Sequence, residues 1–145
     1  MRALLTVFVF VSLAGAQTHQ DFAGLWKQDN SRSTLRPGST INYSNKIELN
    51  GDALKVTTIF GATAERKESQ YTREYTIGGK PTTSSDREGD HFTNTVKWEG
   101  AALVFETVEK EKDATLTSRE VWTLSADGKT LTKKIRRTGG RGGDS

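Results

Sequence analysis

Between His91 and Glu109 apolar and polar residues alternate with a period of two, and that alternation restricts what the chain can fold into. In His91-Phe92-Thr93-Asn94-Thr95-Val96-Lys97-Trp98-Glu99, the residues Phe92, Val96 and Trp98 take even positions, against His91, Thr93, Thr95, Lys97 and Glu99 at odd ones. Successive side chains of a strand point to opposite faces, so one set goes to a core and the other to water. Gly100 gives the backbone a place to reverse, and Ala101 to Glu109 supplies a second β-rich arm. The unit reads as a β-hairpin.

Similar units precede and follow it. Phe22 to Lys27 is a short first strand, and Asp29 to Ser39, with Pro37-Gly38, is a loop or a single turn of helix. Ile41, Tyr43, Ile47 and Leu49 share one face, Asn50-Gly51-Asp52 is a hairpin turn, and Leu54, Val56 and Phe60 share the face of the returning strand. Tyr71, Arg73, Tyr75 and Ile77 align next, before the turn Gly78-Gly79-Lys80-Pro81 and a short edge strand at Thr82 to Ser85. Later, Leu116, Trp122 and Leu124 oppose Val121, Asp127-Gly128 turns the chain, and Leu131 and Ile135 mark the last strand. This predicts about eight to ten strands, and no stretch sustains an apolar period near 3.6. Strands joined by such short connections pair with their neighbours in sequence. The expected fold is all-β, an antiparallel up-and-down meander closed into a barrel so that its edges are covered.

Length and charge set the rest of the frame. A chain of 145 residues fits one domain with a real core. Met1-Arg2 makes a positive start, Ala3 to Leu13 is almost wholly apolar, and Ala14-Gly15-Ala16 offers small residues for cleavage. This is the pattern of a secretory signal peptide cut after Ala16, shorter than the ~20 residues of a membrane span. The expected organisation is a signal peptide at 1–16, one β domain at 17–137 and a disordered Gly-rich tail at 138–145. The expected location is secreted or periplasmic, with no membrane span after cleavage. Removing 1–16 takes away Arg2 alone among the charged residues, so the formal charge falls from +3 to +2. Acids and bases are interleaved except at Lys133-Lys134-Ile135-Arg136-Arg137, which reads as a solvated strand end, and no nucleic-acid partner is expected. With no cysteine, an exported chain must be held by packing alone.

No catalytic or metal constellation stands out, and neither enzyme activity nor a cofactor is expected. His19 and His91 are the only histidines, and His91 with Asp86, Glu88 and Asp90 is better read as a polar loop than as a zinc site. No serine sits in a Gly-x-Ser-x-Gly setting, and the pairs Glu109/Glu111 and Glu106/Glu120 are interspersed with bases. The aromatic residues say more, because inward positions of a small barrel either fill it or line a cavity. Asn94, Ser118 and Glu120 also take inward parity, and polar groups there need water or a ligand as partners. Two interiors remain open: a wet or ligand-filled one, or a filled core in which a slipped register turns those residues outward.

Phe22-Ala23-Gly24-Leu25-Trp26-Lys27 resembles the opening of the calycins, the lipocalins and fatty-acid-binding proteins, whose first strand carries Gly-x-Trp; Gly24 and Trp26 stand in those places. Asn50-Gly51-Asp52 before Leu54-Lys55-Val56, and Thr95 to Gly100 before Leu103-Val104-Phe105, are similar to hairpins of the fatty-acid-binding branch. The ending Asp127 to Thr132 also resembles that of small exported bacterial proteins labelled lipocalin-like. Two departures are visible: Asp29 to Ile41 leaves little room for a two-helix lid, and Lys133 to Thr138 holds no Arg-x-Tyr. The resemblance implies a lipocalin-like barrel binding a small, partly hydrophobic ligand inside. Trp26, Phe60, Phe92, Trp98, Phe105 and Trp122 would line or floor it, and Arg119 could pair with a ligand carboxylate. The alternative is a non-enzymatic structural or interaction β-domain with a filled core.

Overall fold

A computed structural model describes residues 21–34, 42–85, 89–111 and 113–139. The expected signal peptide and residues 140–145 of the expected tail lie outside these residues, as do Asp86 and Glu88 of the polar loop. Among the described residues nine strands follow one another: β1 Gly24–Lys27, β2 Tyr43–Asn50, β3 Ala53–Phe60, β4 Ser69–Thr76, β5 Thr82–Ser85, β6 His91–Glu99, β7 Ala102–Lys110, β8 Thr115–Leu124 and β9 Leu131–Gly139. The last strand thus runs two residues past the boundary read from the sequence. The turns fall at the glycines expected of them: Gly51 and Gly100 take φ of 59° and 60°, a left-handed conformation that L side chains rarely adopt.

Every pairing is antiparallel between sequence neighbours, as a meander requires, but the strands form two sheets rather than one closed barrel. The first carries β1-β2-β3-β4 and the second β5-β6-β7-β8-β9. Closure fails between β1 and β9, which are edge strands of the two sheets, and between β4 and β5. After β4, Ile77 bridges in parallel to Val96, and the Gly78 N–H donates to the Val96 carbonyl at 2.7 Å. That takes up the edge of β6 at Val96, leaving β5 to pair only along residues 91–94. β5 itself is Thr82-Thr83-Ser84-Ser85, exposed throughout, with no apolar side chain to draw it onto β4.

Register confirms the parity read from the alternation. Ile47 faces Val56, Leu49 faces Leu54, and Leu54 faces Tyr75 in the first sheet. Val96 faces Phe105, and Leu103 faces both Trp98 and Trp122, in the second. These rows meet between the sheets, and Phe22 enters from the chain ahead of β1. Phe22 is fully buried, its ring 5.7 Å from that of Trp98, and its carbonyl accepts a 2.9 Å hydrogen bond from Trp26 Nε1. One end of the interior is therefore dry and filled.

The outer face of the second sheet carries a small shelter. Val104 points away from the interior yet is only 1% exposed. Lys97, Glu99, Glu106 and Arg119 surround it in an ion-pair network, with Arg119 Nη1 2.7 Å from Glu106 Oε1 and Lys97 Nζ 3.5 Å from Glu106 Oε2. The aliphatic stems of long charged side chains can cover apolar surface in this way.

Phe22→Ala should cost about 3–5 kcal/mol, because it opens a cavity at the joint of both sheets. Leu25→Ala, at a side chain 59% exposed, should stay within about 0.5 kcal/mol. Urea midpoints of the two variants check the contrast, and equal midpoints would overturn this account of the core.

Candidate functional site

The same period-two pleat that fills one end of the interior leaves the other polar. On β2 the inward series continues from Ile47 to Asn45 and Tyr43, and on β3 from Val56 to Thr58 and Phe60. On β4 it brings Tyr71, Arg73 and Tyr75 inward. The second sheet answers with Phe105, Glu120, Trp122, Lys133 and Ile135, since Glu120 stands opposite Phe105 and Ile135, and Trp122 opposite Lys133. These side chains line a cleft of about 250 Å³ between the sheets.

Aromatic rings form most of its wall. Tyr75 meets Phe105 edge-on at 5.4 Å, and Phe105 lies 4.5 Å from Trp122. Nearer the mouth Phe60 lies 5.9 Å from Tyr71, whose ring also carries the Arg73 guanidinium at 5.1 Å. Such pairs add to the burial energy of each ring.

The polar groups are chained together. Lys133 Nζ lies 3.8 Å from the centre of the Trp122 ring and donates to Asn45 Oδ1 at 2.5 Å, while Asn45 Nδ2 donates to Thr58 Oγ1 at 2.9 Å. Trp122 Nε1 donates to Glu120 Oε1 at 2.6 Å. Burial disfavours the ammonium and pulls Lys133 down to about 8, with the Glu120 charge opposing the shift. The Tyr43 hydroxyl is pushed up by burial first and by Glu120 second. Burial pushes Tyr75 up as well, against the pull of the neighbouring Arg73. A titratable amine shifted by desolvation inside a cleft makes that cleft a candidate site.

The residues expected from the sequence divide into three groups. Phe60, Phe105 and Trp122 line the cleft. Trp26 and Trp98 pack against the filled core instead, and Phe92 is half-buried opposite Glu109 and Ser84. Arg119 stands on the outer face with Glu99 and Glu106, so it does not reach the interior. Its parity is that of Val121, the outward set of β8, and the strand pleat overrides the family-derived placement. Asn94, Ser118 and Glu120 do face inward: Thr107 stands opposite both Asn94 and Ser118, and donates to Asn94 Oδ1 at 2.8 Å.

Lys133 is the residue that a composition-based reading misses. The basic run splits across β9, with Lys133, Ile135 and Arg137 inward and Lys134 and Arg136 outward. It therefore makes no single basic patch. The signal was present in the alternation, since Lys133 lies between Leu131 and Ile135. His91 is exposed, with Ser85 Oγ 2.8 Å from its Nδ1, and among the described residues no three His, Asp or Glu converge as metal ligands would.

A larger hollow, of about 460 Å³, opens where the sheets part near Thr82. Its charged lining, Glu48, Lys55 and Glu74, stands in register as acid, base, acid across three strands, and Glu48 pairs with Lys46 on its own strand. The smaller cleft is the stronger candidate because its rings and polar groups converge on one amine.

No family model matches the chain, and no curated protein matches it. Among solved structures, a REP1-NXSQ fatty acid transporter is similar with a TM-score of 0.37 and 14% identity, over 66% of this chain and 69% of that one.

The Lys133 shift carries a sign that can be measured. Between pH 8 and about 10 the unfolded chain holds a proton on this amine that the folded chain has released, so folding stability rises with pH across that window. Lys133→Met should remove that rise, so that the wild-type midpoint in urea gains on the variant's as pH climbs from 8 to 10. Parallel pH profiles would refute the desolvated amine.

Proposed function

We propose that this chain is an exported, non-enzymatic binding protein of calycin-like type, holding a small, partly hydrophobic molecule between its two sheets. The observation that carries this reading is the aromatic cleft itself. Rings from both sheets converge there, and polar atoms of Asn45, Thr58, Glu120 and Lys133 lie among them. Small-molecule sites combine apolar walls with a few placed polar groups in this way. At about 250 Å³ the cleft is below the ~300–1,000 Å³ range of drug-sized sites, so it suits one or two small ring systems or a short chain. Phe60, Phe105 and Trp122 would contact the apolar body, while Arg73 and Tyr43 would meet a polar end at the mouth. The filled half of the interior supplies the stability that lets this half stay open.

Titration with 1-anilinonaphthalene-8-sulfonate should quench tryptophan fluorescence saturably, because Trp122 lines the cleft, and short-chain fatty acids should displace the dye. Ile135→Glu places a negative charge at the mouth on a side chain already 54% exposed, and should weaken binding of the anionic dye about tenfold, some 1.4 kcal/mol. Leu25→Glu, on the outer face of the first sheet, should not change it. Absence of saturable quenching would sink the binding reading. Expression of the full chain in a secreting bacterial host should yield a product beginning at Gln17, and an exported product still beginning at Met1 would refute the cleavage site.

A further inference from the structure

We propose that the Lys133 amine captures a small apolar aldehyde as a reversible imine inside the cleft. This rests on the cleft being the ligand site and names the ligand class, a carbonyl compound with an apolar body. Three geometric facts carry it. The amine is on the inward face of β9, among the cleft-lining residues. It lies 3.8 Å from the centre of the Trp122 ring, so a carbonyl carbon bonded to it has an aromatic wall for its substituent. Among the described residues no carboxylate lies within ion-pair distance of it, unlike Lys46 and Lys97 on the surface. A lysine held in this way differs from one kept as a solvated counter-charge.

The chemistry needs nothing beyond the aldehyde and water. The Nζ lone pair adds to the carbonyl carbon, the C=O π pair moves to oxygen, and a proton passes from nitrogen to that oxygen to give a carbinolamine. The hydroxyl then leaves as water, taking a proton from solvent at the open mouth, while the nitrogen lone pair forms the C=N bond. The product is the positively charged iminium, which yields the neutral imine on losing its N–H proton. One water is released, and no oxidant or reductant enters. The Trp122 face and the Glu120 carboxylate, which favour the ammonium, favour the iminium for the same electrostatic reason. Activation of a lysine nucleophile by desolvation is an established route to imine formation. Burial supplies it here: with the amine near 8, roughly a fifth is neutral at pH 7.4, against about one part in a thousand for an ordinary lysine.

The test uses the full chain with cinnamaldehyde or hexanal, trapped with sodium cyanoborohydride and mapped by peptide mass spectrometry. The expected result is one dominant adduct at Lys133, at least tenfold over any other lysine, suppressed by prior saturation with 1-anilinonaphthalene-8-sulfonate. Lys133→Arg should lose the adduct, whereas Lys46→Arg, on the outer face of β2, should keep both dye binding and the Lys133 adduct. Saturable dye binding with adducts spread evenly over the lysines, or with none at Lys133, overturns the imine and leaves the binding cleft standing. Loss of dye binding and adduct alike in the wild-type chain overturns both. A Lys133 adduct that the dye does not suppress also overturns the proposal, since the reaction would then lie outside the cleft.

Discussion

Tyr75, Phe105 and Trp122 meet in a row across the interior, Tyr75 edge-on to Phe105, and the relation of one sheet to the other depends on that row. The backbone does little to join the sheets. Between β4 and β6 the ladder shrinks to the bridge of Ile77 to Val96. Side-chain packing must then do what hydrogen bonds do in a closed barrel, and it does so by interlocking two pleated faces. On one side of the row lies the dry cluster around Phe22, Ile47 and Leu103. On the other lies the cleft. The row is both the floor of the site and the wall of the core.

This explains how a half-buried lysine is tolerated between the sheets. Burying an ammonium costs free energy unless it finds partners. Lys133 finds three kinds of relief: an amide oxygen on the facing sheet, an aromatic face on the neighbouring strand, and the field of Glu120. Its contact with Asn45 spans the two sheets, joining β9 to β2 where the backbone does not. The polar chain from Lys133 through Asn45 to Thr58 is thus a cross-sheet tie as well as a feature of the site.

Much of this was legible from alternation alone. The parity of Phe92, Val96 and Trp98, of Leu54 and Val56, and of Trp122 and Glu120 is that of the folded chain, because a pleat transmits sequence order directly into facing. The hairpin glycines were legible for a similar reason, since few residues take their conformation. What alternation cannot state is which distant edges meet. The failure of β4 to pair with β5 comes from Ile77 turning onto Val96, a contact that local pattern does not encode. Arg119 and Lys133 show the other limit. Each was placed by analogy or by charge instead of by parity, and parity puts Arg119 outside and Lys133 inside.

The gap between β4 and β5 has a mechanical consequence. A closed barrel has a circumference set by its ladder, so its lumen can widen only by breaking hydrogen bonds. Two sheets joined by packed rings, one backbone bridge and the Lys133–Asn45 contact form a clamshell with no such ladder to fix its opening. Their separation is set by van der Waals contact between side chains, in which each pair of atoms contributes little. Guests of different girth would then be gripped at similar cost, and shape selectivity would be weaker than in a rigid can. Whatever chemical selectivity such a clamshell has must come from the few polar atoms that one jaw presents to the other.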